Sequence, residues 1–121
     1  MEKELKIDTN TKKFFRQYVE ILQPFIKLRS NEADVLAGLL YHSYLRKDIG
    51  NLIDRFKLVF DYDTRLKIQE ELNMSTPVFR NCLSRLRKKK IIGEHNVIPP
   101  YYLVNPTEEN FSIKYTFTFK N

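Results

Sequence analysis

A chain of 121 residues is long enough for one hydrophobic core and too short for two. Apolar residues at 42% and aromatic residues at 13% exclude the composition of a disordered chain, and a single cysteine, Cys82, excludes an intrachain disulfide and gives no reason to expect secretion. The net charge of +6 is unevenly placed: Thr64 to Ile92 holds eight basic and two acidic residues, and the other 92 residues hold thirteen of each sign, so one stretch carries the whole surplus. No run approaches the roughly 18 apolar residues of a membrane helix, and "MEKELKID" alternates charge where a signal peptide is apolar. A cytoplasmic chain with no membrane partner is expected.

In chain order, residues 9–28 place Phe14, Phe15, Tyr18, Ile21 and Leu22 near helical spacing, which predicts an N-terminal helix from about Thr11 that Pro24 ends or kinks. In "SNEADVLAGLLYHSYL" a cap at Ser30 or Asn31, acids in the first turn and Val35, Leu36, Leu39, Leu40 and Ser43 at helical intervals predict a second helix. Leu52, Ile53 and Phe56 fit a short helix, while Phe56, Leu58, Phe60 and Tyr62 alternate with Lys57, Val59 and Asp61, which predicts a short strand in "FKLVFDYD".

Asp63 or Thr64 then caps a helix that points Ile68 and Leu72 inward, with Leu66 beside them. Asn73 suits the left-handed residue of a tight turn, Met74 folds back on the core, and Ser75 or Thr76 caps the next helix with Pro77 at its first position. There Phe79, Cys82, Leu83 and Leu86 recur at i, i+3, i+4 and i+7 as one apolar stripe. The opposite side carries Pro77, Asn81, Ser84 and Lys88, flanked by Arg80 and Arg85.

The residues Ile68, Leu72, Met74, Ser75, Thr76, Phe79, Cys82, Leu83 and Leu86 form a pattern that resembles the helix-turn-helix of winged-helix DNA-binding proteins. "KKKIIGEHNVIPPYYLVNP" looks like the wing that follows such a helix: a strand at Ile91 and Ile92, a polar turn at "GEHN" and a return strand ending in "YYLVNP". With "FKLVFDYD" as the first wing strand, the order resembles small-plasmid and phage replication proteins and MarR-like regulators. The likeness covers about Ser30 to Pro106 and departs from the common pattern in the tandem Pro99 and Pro100 and in Lys90.

The resemblance over 30–106, joined to the periodicity on either side of it, implies an α+β fold in one domain, residues 1–121: an N-terminal helix (9–28), a winged helix-turn-helix core (30–106) and a C-terminal strand (107–121). It also implies a double-stranded DNA partner, with helix 76–89 in the major groove. Side-chain chemistry then names the contacts. Arg80 and Asn81 suit bidentate reading of guanine and adenine, with Thr76 and Ser84 beside them at base edges. Arg85, Arg87, Lys88 and Lys89 suit phosphates, Arg65 and Lys67 the opposite backbone, and His95 and Asn96 at the wing tip a minor groove. Neutralising about five phosphates gives a slope near −4.5 for log affinity against log salt.

The C-terminal "FSIKYTFTFK" alternates Phe111, Ile113, Tyr115, Phe117 and Phe119 with polar residues, which predicts a half-buried strand paired with "YYLV" through "NPTEEN" and extending the wing sheet. The N-terminal helix or a second copy in a homodimer would cover it. Catalysis is not expected: His42 and His95 are far apart, and there is no metal-ligand motif, glycine-rich phosphate loop or nucleophile elbow. Cys82 belongs to the apolar stripe, and Asp61 and Asp63 read as turn and cap residues. No cofactor, metal or small-molecule ligand is indicated. Two functions remain: a sequence-specific DNA binder acting in transcription or replication initiation, or a phage-type structural or assembly protein using the scaffold for protein contacts.

Overall fold

The computed structural model describes residues 4–106 and 112–120. Helix α1 (Thr11–Ile26) starts where the Asn10 side chain accepts the Lys13 N–H at 2.9 Å, and it buries Phe15, Tyr18 and Val19. Pro24 removes one ladder hydrogen bond without ending the helix, which runs on to Ile26. It stops at Lys27, in the left-handed region at φ 50°, where the Gln23 side chain brackets the Leu28 backbone with bonds of 2.8 and 2.9 Å.

Helix α2 (Ser30–Leu45) is apolar nearly all round. It buries Ala33, Val35, Leu36, Ala37, Leu39 and Leu40, as a helix packed on every side must. Its cap position is Arg29 rather than Ser30 or Asn31; Glu32 turns back to accept the Arg29 N–H at 3.1 Å. Around α2 are laid α1, α3 (Leu52–Val59), α4 (Tyr62–Glu71) and α5 (Thr76–Lys88). The approach of α2 to α4 is close at Gly38, where a Cβ would stand 2.9 Å from Ile68 Cγ2.

The expected α+β architecture is not what forms: no strand occurs among the described residues, and the elements are helical. "FKLVFDYD" is the end of α3 and the start of α4. Alternation there competes with a second pattern, Leu52, Phe56, Val59 and Phe60, at helical spacing. The helical pattern wins: Val59, which a strand would turn outward, is buried with Phe56 and Phe60, while Leu58 and Tyr62, which a strand would turn inward, are exposed. Asn51 caps α3, and Asp61, not Asp63 or Thr64, caps α4 by accepting the Thr64 N–H at 2.8 Å. Leu66 faces outward rather than beside Ile68.

The expected wing is absent for a backbone reason. The N–H groups of Ile91 and Ile92 both point at the Leu86 carbonyl, at 3.0 and 3.3 Å, and close the end of α5 instead of opening a ladder. "GEHN" is a turn, closed by the Gly93 N–H on the Val97 carbonyl at 2.9 Å, and it folds against α3. Pro99 and Pro100 have no N–H to offer a sheet, and residues Pro100–Tyr102 make a single 3-10 turn where the return strand was expected.

The C-terminal strand is likewise not formed over residues 112–120; Thr107 to Phe111, which hold most of the expected hairpin connection, lie outside the described residues. Without a neighbouring strand the segment is exposed. It touches α1 through Tyr115, whose hydroxyl donates to the Ile21 carbonyl at 2.9 Å and whose ring stacks on Phe25.

Candidate nucleic-acid interface

The unit α4-turn-α5 is fixed locally by backbone conformation. Asn73 takes φ 54°, and the N–H groups of Asn73 and Met74 return to the Glu70 and Gln69 carbonyls at 3.0 and 3.1 Å. This is the paired closure that a left-handed residue allows, with Met74 packed back on the core. Ser75 caps α5 through the Val78 N–H at 3.4 Å, so Pro77 stands at the second helical position, not the first. Gln69 donates to the Thr76 hydroxyl at 2.9 Å, which ties the two helices at the turn.

Helix α5 has two sides. Phe79, Cys82, Leu83 and Leu86 are each at most 3% exposed, and the core they enter pushes the Cys82 thiol upward in pKa, chiefly by burial. The side chains of Arg80, Asn81, Ser84 and Lys88 are exposed and make no hydrogen bond or ion pair with the described residues. The donors suited to base edges therefore stand free along one outward face, whereas Thr76 is engaged by Gln69.

The remaining cations of α5 are already engaged. Arg87 donates to Asn96 Oδ1 at 3.1 Å and lies over the Phe60 ring at 5.9 Å. Arg85 Nη1 and Lys89 Nζ stand 3.8 and 3.5 Å from the carboxylate of Glu32, which is only 1% exposed, and Lys89 also donates to the Lys27 carbonyl at 2.9 Å. Glu32 and Gln69 are the residues of this site that sequence reasoning missed. A glutamate three residues into an apolar helix signals a cap; its partners on α5 are set by tertiary packing alone.

On α4, Lys67 is exposed and Arg65 half-buried, its Nε shielded without a hydrogen-bond partner among the described residues. His95 and Asn96 share a turn against α3, both in the left-handed region at φ 57° and 59°. His95 is exposed, and half-buried Asn96 serves Arg87.

Away from α5, a cavity of about 130 Å³ between α1, α2 and α4 is lined by Lys12, Arg16, Asp34, Tyr41, His42 and Glu71. Its charges answer one another: Arg16 donates to Asp34 at 2.7 Å, and Glu71 is held by buried His42 at 2.8 Å and by Lys12 at 3.3 Å. Among the described residues no group of three or more His, Cys, Asp or Glu side chains is placed to hold a metal ion, and no helix is long and apolar enough to cross a membrane. Comparison of the chain with family models, with curated proteins and with solved structures finds no match to any of them.

Proposed function

We propose that the chain binds double-stranded DNA without catalysis, placing the outward side of α5 in the major groove through a helix-turn-helix that works without a sheet wing. What carries the reading is the free face of Arg80, Asn81, Ser84 and Lys88 on a helix whose other side is buried, in a chain whose surplus charge lies on that unit. A cytoplasmic regulator or replication accessory fits this face, and a homodimer would set two such helices about 34 Å apart on one side of the duplex.

Selection from a random duplex pool, followed by titration of the enriched site, tests the proposal. Arg80→Ala and Asn81→Ala should each weaken that site by about 1–3 kcal/mol. A pool that enriches nothing, with binding indifferent to both changes, rejects it.

A second reading, protein-protein contact in a particle or assembly, is favoured by one observation: Phe25, Tyr101, Phe117 and Phe119 are each more than 70% exposed.

A further inference from the structure

We infer that Glu32 is an internal counter-ion for α5, a positioning residue that holds Arg85 and Lys89 away from any polyanion the helix meets. The inference rests on the reading of α5 as a polyanion-binding helix, and it names how that surface is regulated from beneath. The Glu32 carboxylate is 1% exposed, and its Oε1 accepts the Arg29 N–H at 3.1 Å. Burying a carboxylate is costly unless charge and hydrogen bonds compensate it. The compensation comes from two cations that reach it, Lys89 at the C-terminal cap of α5, 3.5 Å from Oε1, and Arg85 within α5, 3.8 Å from Oε2.

Those two side chains are 40% and 45% exposed, so they span the interior anion and the surface. Lys89 is doubly held, since it also donates to the Lys27 carbonyl at the end of α1. Two consequences follow from the geometry. The links lie one helical turn apart, at 85 and 89, and fix the rotation of α5 about its own axis, which keeps Asn81 and Ser84 outward. They also leave a bound polyanion fewer cations to neutralise than the sequence displays. A phosphate gains from Arg85 or Lys89 only by displacing a carboxylate that cannot move away.

Glu32→Gln keeps an acceptor for the Arg29 N–H while deleting the charge. Binding to a mixed-sequence duplex should then fall more steeply with salt. The slope change is about 0.9 for each released cation and about 1.8 for both, an additional loss of roughly 12-fold between 50 and 200 mM salt. Lys89→Met should leave the slope of the wild-type chain nearly unchanged but flatten that of Glu32→Gln by about 0.9. Circular dichroism and protection of the Cys82 thiol check that each variant is folded.

A folded Glu32→Gln with the wild-type slope overturns the inference, and so does a Lys89→Met effect of equal size in both backgrounds. Should Glu32→Gln not fold, Lys89→Met in the wild-type chain decides: a slope flatter by about 0.9 overturns the inference, and an unchanged slope supports it. Elution from immobilised heparin separates the two readings. Later elution of Glu32→Gln with no duplex binding by any variant sustains the counter-ion and rejects DNA; duplex binding with unchanged heparin elution does the reverse.

Discussion

Gly38→Ala sets two effects of known size against each other. In the interior of α2 the change should stabilise the helix by about 1 kcal/mol through propensity alone. The new methyl, however, would lie 2.9 Å from Ile68 Cγ2, where carbon atoms prefer about 3.5–4.0 Å. Ile68 is 1% exposed, and a β-branched side chain in a helix has essentially one χ1 rotamer, so the contact is relieved only by moving α4 away from α2. Overpacking of this kind costs about 1–3 kcal/mol, which exceeds the propensity gain and leaves a net loss of about 1 kcal/mol. Thermal unfolding followed by helical ellipticity measures it, as a fall in Tm of roughly 3–5 °C for a chain of this length. Combining the change with Ile68→Leu, which removes the branch at Cβ, should recover the loss as a coupling of about 1–2 kcal/mol. A Gly38→Ala chain more stable than wild type would refute the close approach of α2 and α4.

The remaining predictions concern titration and access. Burial raises the Glu71 carboxyl, but the hydrogen bond from His42 and the nearby Lys12 outweigh it and hold the group below its ordinary 4.5. The folded state therefore takes up that proton at lower pH than the unfolded state, so the stabilisation is fully present above about 4.5 and is lost as pH falls through the depressed value. The Tm difference between wild type and Glu71→Gln should be constant near pH 6 and shrink toward pH 3; a pH-independent difference would count against the pairing. Cys82, 1% exposed with its thiol pushed up by burial, should react with a thiol reagent far more slowly than in urea, and equal rates would mean that α5 is not seated on the core.

What could be read from the residues alone follows a physical division. Helices α1, α2 and α5 carry single, uncontested patterns, so their existence, and for α5 the choice of buried side, follow from spacing. Segment 56–62 satisfied two periods at once, and only the surroundings chose between them. The wing came from likeness to other proteins rather than from the residues, and Pro99, Pro100 and the Ile91 and Ile92 amides deny it the hydrogen bonds that a sheet requires. The alternation of the C-terminal segment is genuine, yet a strand exists only with a partner, and none of the described residues supplies one. Within the site, outward exposure was legible at Arg80, Asn81, Ser84 and Lys88. The tethering of Arg85 and Lys89 was not, because a sequence shows charges without showing which opposite charge lies beneath them.

The central place of α2 means that the α4–α5 unit is not a portable cassette. The oily flank of α5 is completed by α2, α4 is seated on α2 at Gly38, and α1 covers another side of that same helix. A graft of residues 62–92 onto another protein would carry the probe without its socket, and a truncation that removed α1 would strip part of the wall that keeps the socket dry.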